Sequence, residues 1–305
     1  MKFGAQLVNY FTTWEDTVST IKAIEAGRWH SLWFSDHFLP PIPGANLESG
    51  ASLESWSMIT ATAAVTNRLR LGILVTGNTY RNPALLAKMA ATVDQISNGR
   101  LILGIGAAWY QQEHEAFGWK FPDVRERCDR LEEAVELIKT LFTTEGPIDY
   151  NGRYYKLNKA YFSPACTQKP HVPIMVGGNG EKRTLRTLAR FGDICNIDFN
   201  LPGSPEIFKH KLEVIERHCE DIGRDPNEIK KTLLIPLRLE SDEKKAAELR
   251  KTRGEWALYG TASFIIDRIQ QYIDAGAEEI MLGSVPMKSE LFERINEEIL
   301  SAFKK

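Results

Sequence analysis

Ser35-Asp36-His37-Phe38 sets an acid beside an imidazole, directly after the apolar run Ser31–Ser35. Imidazole titrates near neutral pH, so His37 next to Asp36 suits proton transfer to or from a reacting oxygen. A second candidate is Gly177-Gly178-Asn179-Gly180-Glu181-Lys182-Arg183, with three glycines in four residues just before helical spacing resumes. Main-chain amides at a helix start stabilise an anion, Lys182 and Arg183 add charge, and a phosphoryl group is the expected guest. Between the two lies Val75-Thr76-Gly77-Asn78-Thr79-Tyr80-Arg81-Asn82. Its small and amide side chains, Thr76 and Asn78 among them, offer a flat hydrogen-bonding ledge for a planar heteroaromatic ring. In Gly104-Ile105-Gly106-Ala107-Ala108-Trp109-Tyr110 the small residues admit a ligand close to the backbone at Ala107 and Ala108. Trp109 and Tyr110 are the candidate pocket walls.

Other chemistries lack their residues. His30, His114, His171, His210 and His218 show no ligand spacing, so no metal is expected. Glu113-His114-Glu115 resembles part of a zinc helix without its second histidine. There is no serine nucleophile elbow and no Walker loop. The four cysteines form no C-x-x-C pair, and buried or inert thiols in a reducing compartment are expected. A net charge of −2 argues against a broad polyanion-binding surface, so a small-molecule partner is expected and nucleic acid is not. The start MKFGAQLV reaches Asn9 without the apolar core of a signal peptide. No apolar run reaches the ~18 residues of a membrane span. A cytoplasmic enzyme is the expectation.

These segments need a scaffold, and the chain supplies an alternation of strands and helices. Strands are expected at Phe3–Val8, Ser31–Ser35, Leu69–Thr76, Leu101–Gly106, Pro173–Val176, Asp193–Ile197, Thr232–Leu239 and Glu279–Gly283. Helices are expected at Trp14–Ala26, Glu54–Val65, Ala84–Ile96, Arg125–Phe142, Glu181–Arg190, Ile207–Ile222, Phe264–Ala275 and Leu291–Phe303. Continuously apolar strands are covered on both faces, as in parallel sheets. The fold class is α/β, a (β/α)8 TIM barrel forming one domain over residues 1–305, with insertions after strands 4 and 7. An open dinucleotide-binding sheet is disfavoured, because NYFTTW after the first strand has no glycine. Thr143–His171 reads as a hairpin turning at Asp149-Tyr150-Asn151-Gly152, and Ser241–Tyr259 as a charged helical excursion. Both are candidate lids on the rim. In such a barrel, sites collect at the carboxyl ends of the strands, where all the segments above fall.

Four blocks carry a family resemblance: SDHF, LGILVTGNTYRNPALLAKMAATVD, RLILGIGAAWYQQEHEAFG and PIMVGGNGEKRTLRTLARFGDICN. Together they resemble the bacterial-luciferase-like family, and most closely its branch using the deazaflavin coenzyme F420. The resemblance runs from Met1 to about Gly283 and is strongest over Leu69–Asn196. It implies a hydride-transferring oxidoreductase whose cofactor ring lies across the barrel mouth. The ring would rest on a bulge with a non-proline cis peptide at Leu74–Val75, and the cofactor phosphate on Gly177, Gly178, Asn179 and Gly180. It gives His37 the proton transfer and Asp36 a polar or orienting role. The alternatives are an FMN-dependent monooxygenase and a non-catalytic flavin-binding barrel. Sugar-phosphate dehydrogenases of the family carry Gly-Glu after strand four. Ala108-Trp109 stands here, which argues against glucose 6-phosphate and for a more hydrophobic pocket. Relatives are commonly homodimers, with Trp56, Met58 and Met89 as candidate contacts.

Overall fold

A computed structural model describes residues 1–48, 50, 52–199, 203–254 and 256–303. The strands are β1 (Lys2–Leu7), β2 (Ser31–Phe34), β3 (Arg70–Ile73), β4 (Thr76–Gly77), β5 (Leu101–Gly106), β6 (Pro147–Asn151), β7 (Lys156–Tyr161), β8 (Ile174–Gly177), β9 (Ile194–Asp198), β10 (Lys230–Leu239), β11 (Leu258–Gly260) and β12 (Glu279–Gly283). Parallel pairing runs β1-β2-β3-β5-β8-β9-β10-β12 and returns to β1, closing a barrel of eight strands among the described residues. The helices are α1 (Trp14–Ala26), α2 (Ser55–Val65), α3 (Pro83–Ile96), α4 (Gln111–Ala116), α5 (Val124–Thr143), α6 (Thr184–Phe191), α7 (Pro205–Glu220), α8 (Glu243–Arg253), α9 (Ala262–Asp274) and α10 (Ser289–Glu298).

Alternation along each strand divides the core in two. Outward residues such as Leu32, Phe34, Leu71, Leu103 and Ile235 meet the helices in one large cluster. Inward residues Trp33, Leu74, Ile102, Met175, Ile194, Leu234 and Met281 fill the barrel. The Trp33 indole takes room left by glycine, since a Cβ at Gly72 would lie 2.4 Å from its Cζ3. Below it, Ser31 accepts from Trp33 Nε1 at 2.7 Å and donates to buried Glu279, which also pairs with Lys230. The polar groups at the base are thus satisfied, as burial demands. On the outside, the Arg100 guanidinium bonds the carbonyls of Ala63, Thr66, Leu69 and Ser97, tying the end of α2 to β3 and the end of α3.

The expected third strand is interrupted. β3 ends at Ile73, the Leu74–Val75 peptide is cis, and pairing resumes at Thr76. The bulge thus falls where the family resemblance put it. Thr143–His171 is corrected as a lid. It follows α5 rather than a strand, and its segments lie against the helix layer: Lys88 and Gln95 of α3 bond the carbonyls of Ser163 and Ala165. Its turn also falls later than expected, with Gly152 N bonding Tyr155 O at 3.0 Å. The cause is Glu133 on α5, whose carboxylate gathers the amides of Arg153, Tyr154 and Tyr155. Its tip approaches the rim, where Tyr155 accepts from Asn78. The later insertion, α8 and β11, does extend the barrel top, because β11 pairs with the end of β10. No helix among the described residues is long and apolar enough to cross a membrane.

Candidate active site

All the candidate segments follow strands at the same carboxyl rim. His37 and Asp36 follow β2, Asn78 follows β4, Ala107–Tyr110 follow β5, and Gly178–Gly180 follow β8. Three strand steps separate β2 from β8, roughly 14 Å along the wall.

Asp36 and His37 are neighbours in sequence with separate partners. The Asp36 carboxylate is buried, accepts from Gly77 N at 3.2 Å, and takes Arg81 in a bidentate pair at 2.7 and 3.1 Å. Arg81 also reaches Glu54, the N-cap of α2, at 2.5 Å. Burial pushes the Asp36 carboxyl above its ordinary range, against the pull of Arg81. Asp36 therefore anchors the loop after β4 and does not touch the imidazole. His37 turns to Glu113 on α4, with Nδ1 at 3.1 Å from Oε1. Its ring meets Trp109 and Tyr110 edge-on, at centroid distances of 5.6 and 5.9 Å. Its main-chain carbonyl is held at 2.6 Å by buried Asn9, which also accepts from Ser35.

Glu113 is fully buried. It accepts from Phe38 N at 2.8 Å and from the Tyr80 hydroxyl. Burial alone would raise its carboxyl, but the bonds from His37, Tyr80 and Phe38 prevail and hold it below the usual range. The Tyr80 hydroxyl is pushed well up by burial and by Glu113. His114, the other half of the zinc-like fragment, bonds Thr79 at 2.7 Å and the Tyr110 carbonyl at 2.8 Å, joining the loops after β4 and β5. No cluster of metal-binding side chains occurs among the described residues.

The floor of the mouth is built around Val75. A Cβ at Gly106 or at Gly177 would lie 2.7 Å from a Val75 methyl carbon, so the glycines admit that side chain between β5 and β8. Leu74 belongs to the inner cluster directly beneath. The Thr76 hydroxyl oxygen is buried and accepts from Trp56 Nε1 at 3.0 Å. Asn78 is buried, and its Oδ1 finds no partner among the described residues. Ala107 and Ala108 are half-buried, Trp109 is 62% exposed, and Tyr110 bonds Gln112.

The glycine turn is open. Gly177 is buried, Gly178 and Asn179 are half-buried, and Gly180 is exposed. Gly178 has φ +128°, a conformation that favours glycine, and its own N–H is taken by Asn196 O at 3.1 Å, so the donors expected from Gly177–Gly180 are corrected to begin at Asn179. Asn179 clamps the end of β9, donating to Asp198 O at 2.7 Å and accepting from Asp198 N at 2.9 Å. The main-chain N–H groups of Asn179, Gly180, Glu181 and Lys182 find no protein acceptor among the described residues. The turn runs on through Arg183, so α6 starts later than expected, at Thr184. Arg183 pairs with Asp129 on α5, leaving Lys182 as the exposed cation of the segment. Unpaired amides ahead of a helix are the donor set a phosphoryl group requires, so this turn fits one. The glycine-lined floor beside Val75 fits a flat ring. Sequence reasoning missed Asn9, Tyr80, Arg81 and Glu113 as site residues. No local spacing links position 113 to position 37, and the only signal at Glu113 pointed to a metal.

The closed parallel wall makes this chain a (β/α)8 barrel, with an imidazole, an open glycine turn and a bulged floor on one rim. The chain belongs to the luciferase-like monooxygenase family, whose model matches residues 1–282. It is 36% identical over 236 residues to an F420-dependent glucose-6-phosphate dehydrogenase of Kineococcus radiotolerans, and 32% identical over 234 residues to one of Amycolatopsis mediterranei. The matches cover 76% and 75% of this chain and 66% of each relative, slightly under two thirds of their length. Among solved structures, an F420-dependent secondary alcohol dehydrogenase in complex with an F420-acetone adduct superposes with a TM-score of 0.87, covering 99% of both chains at 23% identity. That likeness is one of fold.

Proposed function

We propose that this chain is an F420-dependent oxidoreductase that transfers hydride between the deazaflavin and a small, uncharged organic substrate. The observation that carries the reading is the placement of His37 and the open amides of Asn179, Gly180, Glu181 and Lys182 on one rim, with the Val75 floor between them. The F420-dependent relatives at 32–36% identity support the choice of cofactor over FMN. Leu74, Val75, Thr76, Asn78, Ala107 and Ala108 would hold the ring; Gly177 and Gly178 would give the phosphate room beside the backbone, and the amides of Asn179 and Gly180 would bind it. Bound deazaflavin supplies hydride chemistry at its ring carbon five. His37 takes up or returns the substrate proton. Trp109 and Tyr110 wall the substrate and keep water out. A phosphorylated substrate is disfavoured because the guanidinium of Arg81, a cation of this wall, is engaged by Asp36 and Glu54.

Fluorescence titration of the purified protein with F420 and with FMN tests the cofactor. Saturable F420 binding with none for FMN is expected. FMN binding alone would replace this reading with an FMN-dependent monooxygenase.

The same reading places the enzyme in the cytoplasm, a setting that its four free cysteines suit. It also makes the enzyme a homodimer, but not through the residues first considered. Trp56 and Met58 are buried in the chain's own core, and Met89 packs against it. The stronger candidate is the outer face of α2 and α3. The α2 sequence SWSMITATAAV carries no charge, and Val65, Leu85 and Ile96 are about half exposed. Protein interfaces are depleted of charge at their cores. Sedimentation is expected to give twice the chain mass; a monomer at micromolar concentration would refute the assignment.

A further inference from the structure

Glu113 has no part in the reading above, yet every atom of its carboxylate is committed. Oε2 accepts from two main-chain amides, Phe38 at 2.8 Å and Leu39 at 3.4 Å. Oε1 faces His37 Nδ1 at 3.1 Å and the Tyr80 hydroxyl. The bonds that lower its pKa keep it ionised at neutral pH. An ionised carboxylate offers acceptors only, so each of these partners must donate. The proton of a neutral His37 therefore sits on Nδ1, and Nε2 carries the lone pair. Nε2 has no hydrogen-bond partner among the described residues and is not one of the buried unpaired atoms, so it meets the mouth.

We infer that Glu113 is a positioning residue that fixes His37 as the Nδ1–H tautomer and so makes Nε2 the atom that accepts the substrate proton. The role in turnover rests on the hydride-transfer reading; the tautomer stands without it. In alcohol oxidation the carbinol C–H leaves as hydride to the deazaflavin. The O–H proton passes to His37 Nε2, and the O–H bonding pair becomes the second bond of the carbonyl. The resulting imidazolium keeps its Nδ1–H on the Glu113 carboxylate, which stabilises the new charge. In reduction the same proton returns from Nε2 to the carbonyl oxygen. Asp36 has no such role, since its carboxylate faces Arg81 and Gly77.

The substitution Glu113→Gln separates this role from packing. Glutamine keeps the volume but has one acceptor and one donor end. The amides of Phe38 and Leu39 cannot become acceptors, whereas an imidazole nitrogen and a phenol oxygen can. The glutamine carbonyl is therefore expected to face the amides and its NH2 to face His37 and Tyr80. His37 then switches to the Nε2–H tautomer and presents a donor where a base is needed.

The decisive measurement is a long-range 1H–15N spectrum of the cofactor-free protein at neutral pH. Wild type is expected to show His37 protonated at Nδ1, and Glu113→Gln to show it protonated at Nε2. Nε2–H in wild type, or Nδ1–H retained in the variant, overturns the inference. In turnover the variant is expected to lose about 10²-fold in kcat, within the range of acid–base groups, with substrate KM near wild type. A loss confined to KM overturns the catalytic part. Titration with F420 keeps the two readings apart. Failure to bind F420 with the expected tautomers sinks the functional reading alone, and F420 binding with the wrong tautomer sinks this one alone. Should the variant not fold, the wild-type spectrum still decides.

Discussion

The substitution His37→Asn is expected to lower turnover by about 10²–10⁴-fold, the range a positioned acid–base group supplies. Asparagine is the informative replacement because its amide nitrogen falls near the position of Nδ1. The donor to Glu113 survives while the atom at Nε2 disappears. The buried carboxylate is then not stranded, and the edge-on neighbours Trp109 and Tyr110 lose only part of a ring. Deazaflavin affinity is expected to stay close to wild type, since the proposed phosphate site lies three strands away on the wall. Steady-state kinetics with a cofactor titration on the same preparation measures both. Unchanged kcat would show that the substrate proton travels by another group.

Replacing Arg81 with methionine is expected to destabilise the fold by about 3–5 kcal/mol, the cost of stripping one partner from a buried ion pair. For a chain of this size that is a fall in Tm of roughly 6–15 °C. The cause is Asp36, left buried with Gly77 N as its remaining hydrogen bond. Glu54 also loses its ion-pair partner, but it keeps the Ser57 amide and its side chain is partly exposed to water. The pH dependence follows from the direction of the Asp36 shift. Burial already raises this carboxyl with Arg81 present, and loss of the guanidinium raises it further. A carboxyl raised in the folded state binds its proton more tightly there than in the unfolded chain. Its penalty is therefore full above the raised pKa and is relieved as pH falls through it. Denaturant unfolding of variant and wild type is expected to show the gap narrowing toward acid. Combining Asp36→Asn with Arg81→Met should recover part of the loss at neutral pH. A gap independent of pH, with no recovery in the double variant, would show that Arg81 acts through packing.

Much of the architecture was legible because it rests on local periodicity. Trp14–Ala26, Leu101–Gly106 and Glu279–Gly283 form with the ends read from the chain, since apolar spacing and flanking glycines act over a few residues. Boundaries failed where a distant side chain set them. The hairpin turns at Gly152–Tyr155 and not at Asp149–Gly152, because Glu133 collects three amides there. The short helix α4 was missed because six residues give too little spacing to see, and with it went the position of Glu113.

The linear chain by itself determined the barrel, the rim to which the candidate segments belong, and the candidates His37 and Gly177–Gly180, because strand–helix alternation and glycine-rich turns are properties of neighbouring residues. Only the tertiary structure decided the pairing of charges. Asp36 sits next to His37 in the chain, yet successive residues at a strand end point apart, so one side chain meets Arg81 and the other meets Glu113, 76 residues away. Which carboxylate serves the imidazole depends on which loops the closed barrel brings together, and no local pattern encodes that meeting.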